Sequence, residues 1–460
     1  MLHIYNAITK KKELFTPLAP PKVSLYVCGM TVYDYCHIGH GRLFTVFDMV
    51  KRYLRSHGYA VTYVRNITDI DDKIIRRAIE NGESIEALTT RFIDAMREDE
   101  HALNILPPDI EPKATQFIPH IIAMIQTLMD KGIAYIASNG DVCYDVHRFK
   151  QYGKFSRQSL EKLRRGARID LLEGKKDPLD FVLWKLAKPG EPTWDSPWGK
   201  GRPGWHIECS AMSAACLGKS IDIHGGGLDL VFPHHQNEIA QSEAAFNTTF
   251  VNNWMHVGHV QVDAEKMSKS LNNFSLIRDV TAQFDNEIVR YFMLASHYRN
   301  PINYSKENLE SAKVGLERLY ISLRGLPSVE TTSSNDVFMT RFNEAMDDDF
   351  NTPVALSVLF DIAREINKLR DENKLIQAAE LGNILKKLAG IIGILQKNAD
   401  DFLQAGITEA DMKKIEQLTD ARNEARKNKD WDSADKIRQE LLSLGVVLED
   451  TTEGTIVRRA

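Results

Sequence analysis

The sequence predicts an α/β protein built on a doubly wound parallel sheet, and three observations carry that expectation. Residues 23–28 alternate as a strand does, with a β-rich centre. Residues 29–41 are rich in turn formers, after which Leu43, Phe44, Phe47, Val50 and Leu54 recur at helical spacing, and His57-Gly58 closes the helix. Residues 59–67, rich in Val, Tyr and Thr, read as the next strand. Strand, glycine-containing turn, helix, strand is a βαβ unit, which requires a parallel crossover. No G-x-G-x-x-G follows the first strand, so a dinucleotide-dependent dehydrogenase is disfavoured.

The rest of the chain fits around that unit. Residues 116–200 change character: two short helical patterns, a Gly140-Asp141 turn, a basic stretch at Lys162, Arg164, Arg165 and Arg168, and then Trp184, Trp194, Trp198 and Trp205 close together. This reads as an insertion, with sheet-like sequence resuming at Ile221-Asp222-Ile223-His224. After residue 312 helical periodicity dominates (Leu316, Leu319, Tyr320, Leu323; Ala355, Val358, Leu359, Ile362, Ile366), interrupted by a polar loop over 325–336. A linker near Asp400 precedes a small charged unit.

Composition bounds the function. At 460 residues the chain has room for roughly three domains. With 43% hydrophobic and 26% charged residues it is neither disordered, collagen-like nor a coiled-coil rod. The apolar run over 388–395 falls far short of the roughly 18 residues that span a bilayer. Lys10, Lys11 and Lys12 follow a broken apolar stretch, the reverse of a secretory signal, so the expectation is a cytoplasmic protein without a membrane partner. A net charge of −5 does not by itself suggest a nucleic-acid partner. Five cysteines in so long a chain argue against a disulfide framework.

Three sets of residues carry chemistry. In Cys36-His37-Ile38-Gly39-His40-Gly41, two imidazoles lie one turn apart at a helix N-terminus, where unpaired N–H groups attract phosphate. In Lys266-Met267-Ser268-Lys269-Ser270, two lysines can neutralise charge on a leaving pyrophosphate, although lysine pairs of this kind are common on solvated loops. Third, Cys28, Cys209, His234 and Glu238 are ligand types that zinc accepts, with His234 and Glu238 placed i, i+4 on one helix face. Taken singly, the cysteines are equally buried apolar side chains, the His–Glu pair a helix-surface pair, and the Cys28–Cys209 spacing no local zinc finger.

The first two motifs, in this order, are the HIGH and KMSKS signatures of class I aminoacyl-tRNA synthetases, and the chain resembles the bacterial cysteinyl-tRNA synthetases along essentially all its length. The resemblance is carried by Tyr26-Val27-Cys28-Gly29, Thr31-Val32-Tyr33-Asp34, residues 65–73 and 203–210, His224-Gly225-Gly226-Gly227, Phe232-Pro233-His234-His235, and Ala345-Met346-Asp347-Asp348-Asp349-Phe350-Asn351-Thr352-Pro353. It implies a Rossmann-type catalytic domain over 1–115 and 201–247, split by a connective insertion over 116–200. It further implies a stem-contact region with the KMSKS loop over 248–311, a helical bundle over 312–400 and an anticodon-binding domain over 401–460.

The same resemblance implies a cysteine–tRNA ligase that uses ATP, L-cysteine and tRNA(Cys), as a monomer. It places one zinc ion on Cys28, Cys209, His234 and Glu238, facing the substrate thiolate. A pocket judging size alone would separate cysteine from serine by only about 1–3 kcal/mol, whereas a soft metal–thiolate bond rejects a hydroxyl far more strongly. His37, His40, Lys266 and Lys269 become the catalytic, phosphate-binding residues. Gly227 and Asp229 cradle adenosine, Trp205 walls the amino-acid pocket, Thr68 lies near its polar end, and Mg²⁺ accompanies ATP. Arg426, Trp431, Asp435 and Asp450 are the expected anticodon readers, although residues 413–440 hold eight basic and seven acidic side chains and form no basic stripe. Two positions depart from the family pattern: Val457 stands where tryptophan is expected, and Asn272 where glycine usually follows the KMSKS signature. A paralogue that ligates cysteine to an amino-sugar thiol precursor is the nearest alternative, and the unit after residue 400 is the feature that separates the two.

Overall fold

The computed structural model describes residues 1–156, 174–262, 265–266, 274–330, 337–405, 409–451 and 454–459, with backbone alone at a few positions that include Lys266 and Asp450. The basic stretch at 162–168, Lys269 and Asn272 lie outside the described residues. The chain divides into two compact units, one of Met1–Ala312, Val337–Ser357 and Ile391–Gly393, the other of Lys313–Asp336, Val358–Gly390 and Ile394–Ala460.

The first unit opens with a hairpin, β1 (His3–Asn6) and β2 (Lys11–Leu14), and then forms the expected βαβ unit. Strand β3 (Lys22–Val27) leads through a long turn into helix α1 (Ile38–Ser56), which returns to β4 (Ala60–Arg65), parallel to β3. Helices α2 (Asp72–Asn81) and α3 (Ile85–Ala102) follow. The sheet is completed by β9 (Ile221–Gly227) and β10 (Val251–Val257) in the order β10-β9-β3-β4, every pair parallel. Its strands are buried nearly throughout, as a sheet covered on both faces requires. Gly225 in β9 admits α1: a Cβ there would lie 2.0 Å from the Phe47 ring.

The insertion differs in kind from the expected pair of helices. One long helix, α4 (Ile118–Asp130), precedes an antiparallel sheet of β5 (Ala134–Ile136), β6 (Val142–Tyr144), β7 (Phe181–Leu186) and β8 (Gly201–Pro203). Three of the four tryptophans named for the region pack into it: Trp184 is fully buried, with Trp194 and Trp198 against the same core, while Trp205 is exposed. Helix α5 (Trp205–Leu217) then leads to β9, and α6 (Gln236–Phe246) to β10.

After β10 come β11 (Val260–Val262), β12 (Glu265–Lys266), α7 (Ile277–Thr281), α8 (Asn286–Leu294) and β13 (Ile302–Asn303). Helices α9 (Lys306–Leu323), α10 (Val337–Asp347), α11 (Thr352–Asp371) and α12 (Leu375–Ile391) carry the periodicity read from the sequence, and the nine periodic positions named above are all buried. A short helix, α13 (Ala399–Leu403), precedes α14 (Glu409–Lys427), α15 (Trp431–Ser443) and a hairpin of β14 (Val446–Thr451) and β15 (Gly454–Arg459). Among the described residues no helix is long and apolar enough to cross a membrane.

Candidate active site and metal centre

Cys28, one residue past β3, Cys209 on α5, and His234 and Glu238 at the start of α6 converge although 210 positions separate the first from the last. One donor atom from each lies within 4.8 Å of every other, and all four residues are buried. His234 and Glu238 stand i, i+4, as expected, on helical backbone that runs from the turn at 231–235 into α6. Residues 231–235 form an irregular wide turn with extended backbone at Phe232, and α6 begins at Gln236. His234 Nε2 reaches Glu238 Oε1 at 3.1 Å. The two Sγ atoms are 3.8 Å apart, far too long for a disulfide, and all five cysteines are free. That separation equals the edge, about 3.8 Å, of a tetrahedron whose centre binds thiolates at the Zn–S distance of about 2.3 Å.

The electrostatics suit a cation. Cys28 donates to Cys209 and so holds the Cys209 thiol down at about 6, against burial. Burial pushes Cys28 itself well up. Burial also works against charge on His234, but Glu238 and Cys209 outweigh it and raise the imidazole to about 10. The Glu238 carboxyl, despite burial, is held well below the ordinary range by His224 and His234. Two buried anions with one imidazolium is the charge state from which a dication displaces protons.

A shell of histidines that the sequence reading did not single out surrounds this group. His224 Nε2 meets Glu238 Oε2 at 2.8 Å, His206 Nδ1 meets His234 Nδ1 at 3.0 Å, and His235 joins His256 at 2.8 Å and Cys28 Sγ at 3.4 Å. Cys28, His224, His235 and Glu238 also fall within metal-holding distance of one another. The two sets share Cys28 and Glu238; the first adds a second thiol and an imidazole, the other two imidazoles.

Cys28 also lines a cavity of about 620 Å³. Trp205, its ring tilted against that of His234 with centroids 4.3 Å apart, forms part of its wall, as do Gly227 and Asp229. His37 and His40 lie at the N-terminus of α1, stacked at 3.8 Å. Each ring accepts the other's backbone N–H at Nδ1 (3.2 and 3.3 Å), so each neutral ring carries its hydrogen on Nε2 as a donor. Thr68 is buried beneath: its hydroxyl donates to Glu208 at 3.1 Å, and it is Thr31, bridged to Thr68 in parallel register, that lines the cavity. Tyr33, Asp34 and Lys73, which had only their place in family-like stretches as a signal, and His259, which had none, are further lining residues. Lys266 is placed by its backbone, in β12 paired with β11; the segment just beyond the KMSKS loop bridges back to α1 through Ile38 N–H to Ser275 O and Ile277 N–H to Cys36 O, both 3.0 Å.

In the second unit, Trp431 opens α15 with 58% of its surface exposed, and Asp435 stands one turn further on the same helix. Arg426 lies in the last turn of α14, and the Asp450 backbone pairs with Thr455 across the hairpin. Val457, half-buried, packs against a small core of Ile415, Leu441, Val446 and Leu448, which gives the departure at that position a structural role.

Comparisons with known proteins agree with this architecture. A methionyl-tRNA synthetase of Mycobacterium tuberculosis, solved with methionyl-adenylate, superimposes with a TM-score of 0.59 at 15% identity, covering 86% of this chain and 94% of that one. The fold is therefore that of the class I tRNA synthetases, and the class I (C) catalytic-domain family matches residues 14–314. A DALR domain matches 341–396 and a cysteinyl-tRNA ligase anticodon-binding domain matches 413–458. The cysteine–tRNA ligases of Coxiella burnetii (strain Dugway 5J108-111) and Pseudomonas fluorescens (strain Pf0-1) are 59% and 60% identical, each over the full length of both chains. The chain belongs to the cysteine–tRNA ligase family of enzymes.

Proposed function

We propose that this enzyme joins L-cysteine to ATP and then to tRNA(Cys), with one zinc ion selecting the amino acid. The observation that carries the reading is the Cys28–Cys209–His234–Glu238 group at the side of the cavity that also holds the His37–His40 helix start. The substrate carboxylate attacks the α-phosphorus of ATP, the bond to the bridging oxygen breaks, and pyrophosphate leaves. The terminal ribose hydroxyl of the tRNA then attacks the adenylate carbonyl and AMP departs. Neither step needs a side-chain nucleophile, so the protein contributes position and charge.

Zinc held by the four side chains supplies a soft Lewis acid that takes a thiolate in preference to a hydroxyl. His37 and His40 present Nε2–H donors and a helix N-terminus to the phosphates. Lys266 and Lys269 neutralise the departing pyrophosphate, with Mg²⁺ accompanying ATP. Gly227 and Asp229 receive adenosine, Trp205 walls the amino-acid side, and Thr68 acts through Glu208 beneath it. Arg426, Trp431, Asp435 and Asp450 read the anticodon, and the enzyme works as a cytoplasmic monomer. The division into split catalytic domain, insertion, stem-contact region, bundle and anticodon unit follows the boundaries given above. The match of the anticodon-binding domain to 413–458 favours tRNA over an amino-sugar acceptor.

The test is cysteine-dependent ATP–pyrophosphate exchange and tRNA charging, with serine as the competitor, before and after zinc chelation. Chelation, or Cys209→Ala, is expected to remove bound zinc and to weaken cysteine binding together, with zinc restoring the chelated enzyme. Full exchange by demetallated enzyme, or activation of serine on a par with cysteine, overturns the zinc assignment.

A further inference from the structure

Arg42 lies on α1 one turn beyond His37–Ile38, and none of its surface is exposed. No carboxylate among the described residues pairs with it, and burial alone lowers its guanidinium to about 10. A buried cation without a counter-ion is costly, and a methionine would fill the same space more cheaply. What the guanidinium does instead is gather backbone carbonyls from one short segment: Nη1 donates to Met293 O at 2.9 Å, and Nη2 to His297 O at 3.1 Å and Asn300 O at 2.8 Å. These carbonyls belong to the end of α8 and the turn after it.

That turn supports a further part of the cavity lining. Gly258 N–H donates to Tyr298 O at 2.8 Å, and Ile302 N–H to His259 O at 3.0 Å. Gly258 is pressed so close that a Cβ there would lie 2.4 Å from Asn300 O. Residues 257–260 line the cavity together with His37, Gly39 and His40. The 293–300 segment is fixed on its far side too, where Tyr298 and Arg299 donate to the buried Asp349 at 2.7 Å each. Arg42 therefore ties α1 to the turn on which residues 258–259 rest.

We propose that Arg42 is a positioning residue for adenylate formation: it sets the gap between the His37–His40 helix start and the 257–260 wall, and with it the fit of ATP. The planar fork of arginine spans three carbonyls in fixed geometry, which an ammonium cannot do. The proposal rests on the reading of this cavity as the ATP site.

Arg42→Lys and Arg42→Met are measured in ATP–pyrophosphate exchange, normalised to active sites, alongside zinc content and cysteine binding. The expected result is a KM for ATP raised about tenfold with a lowered kcat, the scale on which small misplacements act, Lys milder than Met, and cysteine affinity and zinc content unchanged. Gly258→Ala, which pushes the same turn from its other side, is expected to give the same pattern and serves if the Arg42 variants do not fold. A role confined to stability would lower the melting temperature and the active fraction while leaving the KM for ATP of the surviving sites as in the parent enzyme, and that result overturns the proposal. An unmodified enzyme without cysteine-dependent exchange would instead overturn the reading of the cavity.

Discussion

The candidate metal group and the anticodon-binding end, as proposed, handle two recognition problems with opposite construction. Around Cys28 and Cys209 the recognising side chains are themselves buried, in the same cluster as Tyr26, Ile239 and Trp254. At the C-terminal end the residues proposed to read RNA sit on a scaffold whose buried core is Ile415, Leu441, Val446 and Leu448, and Trp431 faces solvent. A substrate that differs from its competitor by one atom must be surrounded, and surrounding it takes donors fixed from several sides. An anticodon displays whole base faces, and a few exposed aromatic and charged groups suffice. The first region therefore couples chemistry to folding, and the second separates them.

The largest expected effect tests whether the catalytic half acts upstream of everything. Lys269→Ala should lower ATP–pyrophosphate exchange by roughly 10²–10³, the loss typical of one transition-state donor, and tRNA charging by the same factor. Exchange at the parental rate would remove Lys269 from the chemistry.

A smaller effect sharpens the contrast from the other end. Trp431→Ala removes one stacking surface, about 1–3 kcal/mol per base, so the KM for tRNA should rise about tenfold while exchange stays unchanged. Because Trp431 is largely exposed, its loss should leave the melting temperature in place. Exchange falling in parallel with charging would show that the two functions are not separable.

The smallest effect concerns stability alone. Burial raises the Asp99 carboxyl to about 6, against the pull of Arg278 at 3.1 Å, with Glu98, Glu100 and Cys36 also facing it. The folded state thus holds this proton above the ordinary value of about 4, and what Asp99 contributes to stability declines as pH rises from about 4 to about 6. Asp99→Asn has no such proton, so its stability relative to the parent should improve across that interval and level off above it. Urea midpoints of both proteins at several pH values measure this, and a constant difference would refute it.

How much of this was legible in the sequence depends on what kind of group does the work. The βαβ unit and the apolar faces of the later helices announce themselves, because side-chain periodicity is written residue by residue. The four metal-type residues are each of the right chemistry, yet only the resemblance joined them: strand order, β3 beside β9, brings Cys28 to the end of the chain's later strand, and spacing cannot express that. Helical arithmetic gave the right neighbour for Glu238, since His234 stands i, i+4 to it across the junction of a π-helical turn with α6. The hydroxyl of Thr68 donates to Glu208, and Thr31, bridged to Thr68, lines the cavity, a pairing of distant strand ends that spacing cannot express either. Arg42 was invisible because its partners are main-chain carbonyls some 250 positions downstream, and any residue type can supply a carbonyl.

The placement of the metal group within the chain has a consequence for biosynthesis. Its last member is Glu238, and the sheet that seats it is complete with β10, at Val257. Because domains fold as units while the ribosome is still working, and the first unit closes with residues 391–393, the group proposed to tell sulfur from oxygen can be assembled before the anticodon-binding residues 413–458 have emerged. The enzyme would then know its amino acid before it has the parts with which to know its tRNA.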